Sequence, residues 1–414
     1  MFKHSNNIEY YLITSSNFPS GGASAVYLNL LCKGLNLNSR KVSVWLLKGH
    51  AFGNQIKSDK TGITEDGIKF KYLSSTSRQS NLFKKIIDDL VSIFTLVFNL
   101  FKLFNRRKSV TILVYNDDLH FNLIIYPLSK IFKFKLVSFV FEYYDKADFQ
   151  QSLTSKIKWY WLIANIKIVN PLSDCLIVFS DFLRHLYITK GFNENQIYVQ
   201  PNLTDFDFWK NTDTSIKYQL GYSGTPSMKD GLPDLLQALS LLQSQGLNLS
   251  LLVIGDSVFG KSLIPNIKNV CRDLQIENLV TFTGLVSLQE VKDHISQCRI
   301  LVLTRPNTIQ TKAGFPTKLG EYFASEKQIL VTDFGDIEKY FKKDTDIVIA
   351  ECGNIIDIAS NIRWMIENPA DAERISISGY STAEALLEYK KSVLKLIKFL
   401  EKKVKYTYNT SRND

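Results

Sequence analysis

Apolar residues in this chain gather into short unbroken runs and rarely alternate with polar ones. In the first half the runs are EYYLITS (9–15), KVSVWLL (41–47), VTILVYN (110–116), KLVSFVF (135–141) and DCLIVFS (174–180). Continuous runs of this length, separated by stretches with helical spacing, predict strands of a parallel sheet covered on both faces. The second half repeats the rhythm with YQLGYSG (218–224), LSLLVIGD (249–256), NLVTFTG (278–284), RILVLTR (299–305) and QILVTD (328–333). Between the halves, QPNLTDFDFWKNTDTS (200–215) is polar and aperiodic, which predicts a linker. Residues 385–405 have the spacing of an amphipathic helix. The pattern therefore predicts an α/β protein: a doubly wound domain over 1–202, a linker over 203–216, a second doubly wound domain over 217–384, and a helix with a tail over 385–414. Two such Rossmann-like domains facing one another would hold ligands at their strand ends, in the cleft between them.

Composition narrows the class. A chain of 414 residues with 45% hydrophobic and 22% charged residues is globular and long enough for two cores. Its five cysteines, Cys32, Cys175, Cys271, Cys298 and Cys352, share no CxxC spacing, and they read as reduced thiols of a cytoplasmic protein without a zinc site. The first residues, MFKHSNNIEYYLITSS, lack the layout of a secretion signal. The longest nearly apolar run, LVSIFTLVFNLF (90–101), falls short of the ~20 residues that span a bilayer.

Charge is unevenly distributed. Residues 1–202 carry 25 Lys and Arg against 14 Asp and Glu, a net +11, whereas residues 203–414 carry 25 against 26, a net −1. No nucleic-acid motif accompanies the basic half. Its lysines and arginines flank the apolar helical segments at 81–108 and 156–169, where they include Lys84, Lys85, Arg106, Arg107 and Lys108. Such segments suit a helix lying on the anionic inner face of a cell membrane, and they equally suit core helices with basic ends.

Several motifs occur in a recognisable order: SGGASAV after the first strand, VQPNLTDFDFW at the domain junction, GYSGTPSMKDGLPDLLQAL opening the second domain, then LLVIGD, VTFTGLVSLQEV and AGFPTKLGEYFASEKQILVTDFGD. In this order the chain resembles the GT-B retaining glycosyltransferases of family 4, the glycosyltransferase group 1 type. The resemblance spans nearly the whole chain and is specific in the C-terminal half. It implies transfer of a sugar from a nucleotide-sugar donor to a glycan or lipid-linked acceptor, in cell-surface polysaccharide or glycoconjugate synthesis. It also implies retention at the anomeric carbon, no metal, no cofactor, and a C-terminal helix that crosses back to the first domain. Two alternatives stay open at this level: a sugar-nucleotide epimerase of the same fold, and a catalytically silent sugar-nucleotide-binding partner subunit.

The resemblance also assigns residues. Gly314, Phe315 and Pro316 lead into a helix whose first amides, at Thr317, Lys318 and Leu319, would form an anion site at its positive end. Lys318 adds charge there, and Glu321, one turn on, is placed to accept both ribose hydroxyls. Eight positions earlier, where relatives often carry a second Glu, stands Ala313. Ser223 and Gly224 would let a diphosphate approach the backbone, and Lys229 would neutralise the leaving phosphate. Gly224 occupies the place where many relatives have an Arg, so the missing charge falls to Lys318 or Arg305. Val286, in VTFTGLVSLQEV, is counted among the donor-binding positions. In the first domain, Gly21 and Gly22 form the loop that meets sugar and acceptor, and Glu142, near Tyr143 and Asp145, stands where many relatives have a His. Glu142 is a candidate catalytic residue, with capping of the next helix as its competing use. His120 reads as an ordinary helix-start histidine. The DxD pairs Asp205/Asp207 and Asp344/Asp346 end no core strand beside the phosphate loops, and they read as solvated carboxylates.

Overall fold

The unbroken apolar runs become the centres of two sheets. The computed structural model describes residues 8–50, 59–105, 109–149, 152–210, 215–257 and 261–410. One unit comprises the described residues up to Pro201 together with those from Tyr389 onward, and the other is Asn202–Glu388.

In the first unit the strands are β1 (Ile8–Thr14), β2 (Val42–Leu46), β3 (Thr61–Ile63), β4 (Lys69–Tyr72), β5 (Ser109–Tyr115), β6 (Lys135–Val140), β7 (Cys175–Val178) and β8 (Ile197–Val199), in the order β3-β4-β2-β1-β5-β6-β7-β8. All neighbours are parallel except the short edge pair β3–β4. Helices α1 (Ala23–Leu37), α2 (Leu82–Phe104), α3 (Leu119–Ile131), α4 (Leu153–Ala164) and α5 (Asp181–Thr189) connect them. On one face Leu96, Leu100 and Leu103 of α2 join Ile112 and Val114 of β5 and Phe121 and Ile125 of α3 in a core cluster.

The second unit runs β9 (Tyr218–Ser223), β10 (Leu251–Ile254), β11 (Val280–Phe282), β12 (Cys298–Leu303), β13 (Gln328–Thr332) and β14 (Val348–Ala350), in the order β11-β10-β9-β12-β13-β14. Its helices are α6 (Phe206–Trp209), α7 (Leu232–Ser244), α8 (Ile264–Asp273), α9 (Leu288–Ser296), α10 (Ile309–Ala313), α11 (Thr317–Ala324), α12 (Ile337–Tyr340), α13 (Ile355–Glu367) and α14 (Pro369–Leu387). Successive strand residues point to opposite faces. Leu251 and Val253 of β10 therefore join the cluster under α7 and α13, while Leu252 and Ile254 join the one under α11.

Three features differ from the sequence reading. Strands β3, β4, β8 and β14 have only three or four residues each, too few for an apolar run to stand out. The presumed linker is largely packed: Thr204 bridges to Glu388, and Phe206 and Trp209 are buried in the core under α11. Three aromatic residues in a polar stretch supply that anchor; of the remainder, residues 211–214 lie outside the described residues. The described residues of the segments at 81–108 and 156–169 are only partly buried: Leu96, Leu100 and Leu103 of α2 and Val169 after α4 join the core. Helix α2 buries only Ser92, Leu96, Leu100 and Leu103, and α4 buries no residue fully. Arg106, Arg107 and Lys108 lie outside the described residues.

The terminal helix α15 (Tyr389–Thr410) packs on α1, and Glu401 pairs with Arg40. Among the described residues no helix is long and apolar enough to cross a membrane. The five cysteines are free thiols, and Cys32, Cys175, Cys271 and Cys298 are buried.

Candidate functional site

An open parallel sheet binds ligands where its strand order reverses, because the loops leaving the two central strands diverge there and leave a crevice. In the second unit this point lies between β9 and β12. The loop after β9 carries Gly224 to Gly231, and the segment after β12 begins at Thr304 and Arg305. The two are latched together. The Thr304 hydroxyl donates to the Gly231 carbonyl at 2.7 Å. Gly231 has φ +73°, and a Cβ there would stand 1.6 Å from the Thr304 carbonyl oxygen, so no other residue fits.

The latch presents Asp230 to two cations. One carboxylate oxygen accepts from Arg305 Nη2 at 2.6 Å and from Arg305 Nε at 2.8 Å. The other oxygen takes Lys318 Nζ at 2.5 Å. Burial alone would raise the Asp230 pKa, but Lys318 and then Arg305 outweigh it and hold the carboxyl at about 2. Burial pushes the Lys318 pKa down, with Asp230 opposing that and Arg305 adding to it. Lys318 Nζ also sits 4.8 Å from the centre of the Tyr222 ring. The trio carries one net positive charge in a largely water-excluded corner.

Gly224 makes this arrangement possible. Its φ is +113°, and a Cβ there would come within 2.3 Å of Lys318 Cε and Nζ. A glycine, where the resemblance expects an Arg, thus admits Lys318 to the switch point. The Ser223 and Gly224 amides, expected to face a phosphate, are engaged within the fold. Ser223 N–H donates to the Tyr322 hydroxyl at 2.8 Å, and Gly224 N–H to the Ile254 carbonyl at 2.7 Å. Ser223 ends β9 and Gly224 follows it directly, so the neighbouring strand β10 and helix α11 supply partners for their amides.

Lys318 and Glu321 lie on α11, whose N-cap is Pro316 and which has no side-chain cap. Leu319 N–H turns back to the Pro316 carbonyl at 3.3 Å, so the Leu319 amide is partly occupied. Phe315, Pro316 and Leu319 are buried. Asn202 fixes the approach by donating to the Phe315 carbonyl at 3.3 Å. Half-buried Glu321 has its pKa raised to about 7 by burial, against the pull of Lys318. Ala313 is fully buried and has no polar side chain.

Lys229 lies half-buried in the short helical turn Met228–Asp230, next to the trio's carboxylate. Val286 is partly buried against the core under α11. Asp205 caps α6, accepting from Phe208 N–H at 3.1 Å, and Asp346 accepts the Ser378 hydroxyl at 2.7 Å. These two DxD members are structural acceptors and not merely solvated carboxylates, because short loops leave amides and hydroxyls that need partners. Among the described residues no group of three or more His, Cys, Asp or Glu gathers to hold a metal ion.

The first unit has its own reversal, between β1 and β5. Gly21 has φ +148°, while Gly22 has open space where a Cβ would go and serves as N-cap of α1. After β5 come Asp117 and Asp118, the latter paired with Lys48 at 2.8 Å. Glu142, beyond β6, accepts the Tyr144 hydroxyl. Capping of the next helical turn falls to Asp145, which accepts from Ala147 N–H at 3.0 Å, so Glu142 is not the cap. His120 stands at the start of α3, 3.5 Å from Asp89. The residue that sequence reasoning missed is Asp230. Its partners lie 75 and 88 positions away, so it leaves no local signal.

Residues 204–382 match the family model described as glycosyl transferases group 1. No curated protein matches by sequence. Among solved structures, Anabaena HepE in complex with UDP has TM-score 0.72 and 15% identity, covering 95% of this chain and 100% of that one. HepE in complex with UDP-glucose has TM-score 0.70 and 16% identity over 95% and 99%. Sucrose-phosphate synthase from Thermosynechococcus elongatus has TM-score 0.70 and 13% identity over 95% and 98%. The family match covers the second unit over residues 204–382, and the chain as a whole shares the two-domain GT-B fold of these solved structures.

Proposed function

We propose that the second unit binds a nucleotide-sugar at the β9/β12 switch point and that the enzyme transfers the sugar, with retention and without a metal, to a glycan or lipid-linked acceptor. The observation that carries this reading is the pair Lys318 and Glu321 on one helix beside the switch point, a cation for the diphosphate and a carboxylate for the ribose. HepE is similar in fold and was solved with UDP and with UDP-glucose, which makes UDP-sugars the first donors to test.

In this mechanism Asp230 holds Arg305 and Lys318 in place before the donor arrives, so that less ordering is needed on binding. The diphosphate then shares those cations, with Lys229 and the start of α11 adding to the positive field. The sugar–phosphate bond breaks as the acceptor oxygen bonds to the anomeric carbon on the same face. The acceptor proton passes to the departing phosphate, and Lys229 stabilises the charge that grows there. Glu142, in the first unit, is assigned to the acceptor side. The setting is the cytoplasm, in cell-surface polysaccharide or glycoconjugate synthesis.

Purified protein incubated with a panel of nucleotide-sugars, with and without an extracted lipid-linked acceptor, tests the reading. Acceptor-dependent release of nucleoside diphosphate, with the sugar recovered on the acceptor, supports it. A new epimer of the donor without acceptor, or binding without turnover, contradicts it.

A further inference from the structure

Helix α2 has two apolar faces. One, through Leu96, Leu100 and Leu103, closes the core. The other consists of Phe83, Ile87, Leu90, Phe94, Phe98 and Phe101, each three or four residues after the last, which aligns them along the side opposite the core. All six are exposed, Phe94 to 75%, Phe83 to 70% and Phe98 to 68%. The surface continues sideways. Phe101 and Phe104 pack on Phe132 just beyond α3, with ring centres 4.9 Å apart in each case, and His120 of α3 lies 5.8 Å from Trp161 of α4. Leu123 and Ile131 of α3, and Leu153, Ile157 and Tyr160 of α4, are exposed as well. Isolated exposed apolar residues need no explanation, but a contiguous patch across three neighbouring helices marks an interaction surface.

The charges around the patch identify its partner. Helices α2 to α4 with the following turn Asn165–Val169 carry Lys84, Lys85, Lys102, Lys130, Lys156, Lys158 and Lys167, against Asp88 and Asp89 alone. Both acids face inward partners: Asp88 accepts from Ser75 N–H at 3.0 Å, and Asp89 lies 3.5 Å from His120. A second copy pressed against this face would bring like charges together along α2. An anionic lipid surface instead satisfies both features, since aromatic and aliphatic side chains enter the acyl boundary while lysines meet the headgroups. We infer that the outer face of α2, continued by α3 and α4, docks this enzyme peripherally on an anionic bilayer. The inference holds whether the acceptor is lipid-linked or soluble.

Flotation of the full chain with vesicles tests it. Vesicles of phosphatidylcholine with about 30% phosphatidylglycerol should carry the protein at low salt, while pure phosphatidylcholine should carry at least about tenfold less. Phe94→Ser with Phe98→Ser should lower binding about tenfold, and replacing Lys84, Lys85 and Lys102 by Gln should abolish the preference for anionic lipid. Circular dichroism checks the fold of each variant. Amide exchange of the wild-type chain gives a readout without mutation: vesicles should slow exchange in α2 and α4. No flotation at low salt, equal binding to neutral vesicles, or slowing only outside these helices overturns the inference. So does a wild-type dimer that Phe94→Ser with Phe98→Ser splits while vesicle binding stays absent.

Discussion

The two units share a topology and differ in the charge they place at the strand reversal, opposite in sign to the charge of the unit itself. Residues 1–201 with 389–414 carry 33 Lys and Arg against 16 Asp and Glu, a net +17, yet the loops after β5 and β6 present Asp117, Asp118 and Glu142. Residues 202–388 carry 17 against 24, a net −7, yet the crevice between β9 and β12 presents Arg305 and Lys318 around one carboxylate. Net charge governs long-range attraction to surfaces and partners. Site chemistry depends on the few groups that the topology brings to the strand ends, so a basic domain need not be the anion-binding one.

The largest expected effect comes from removing the carboxylate that holds the two cations of the second crevice together. Asp230→Ala leaves two like charges buried without their partner and should destabilise the protein by about 3–5 kcal/mol. Urea unfolding reads this, and a loss below about 1 kcal/mol would mean that the trio is already well solvated. Next in size, Glu321→Ala should weaken UDP binding by about 1.5–3 kcal/mol, the scale of hydrogen bonds to a charged group. Unchanged calorimetric affinity in a folded variant would remove Glu321 from the ribose.

Acidity sharpens the comparison further. Glu321 has a folded pKa of about 7 against an ordinary 4.5, so the folded chain binds more protons between these values. This group's contribution to stability therefore falls as pH rises from about 4.5 to 7. UDP binding runs the other way, because ribose hydroxyls favour the ionised carboxylate. Below pH 7 affinity should drop by up to about tenfold per pH unit beyond the drop seen in Glu321→Gln, a control that shares the titration of UDP itself. Identical pH profiles for the two proteins would show that Glu321 does not titrate against the ligand. Asp230, held at about 2, stays ionised throughout that range; its stabilisation is present above its ordinary 3.8 and is lost as pH falls towards 2. The smallest effect belongs to the first unit: Glu142→Gln should leave UDP affinity within about 0.5 kcal/mol while lowering transfer, as for a site independent of the nucleotide. A clear loss of UDP affinity would erase the distinction between the two crevices.

The sequence showed the long strands because a parallel sheet covered on both faces requires unbroken apolar runs, and Ile112, Leu252 and Leu301 are buried as such runs require. It showed that Lys318 and Glu321 stand on the first turns of a helix, because a helix start is written locally. It did not show the Asp230 trio, whose members meet only through the order of β9 and β12. Nor did it reveal that Gly224 makes room for Lys318, since a glycine after a strand reads first as a turn. The outer face of α2 was visible as apolar residues, but only the packing of Leu96, Leu100 and Leu103 tells which face remains outside.

The contrast between the two crevices is tested most directly by amide hydrogen exchange of the full chain with and without UDP. Slowed exchange should appear in the loop after β9, in the segment from Thr304 into α11, and not in the loops after β1 and β5. Protection at the first unit's strand ends, with the second unit's loops unchanged, would contradict the assignment of the nucleotide to the cationic crevice.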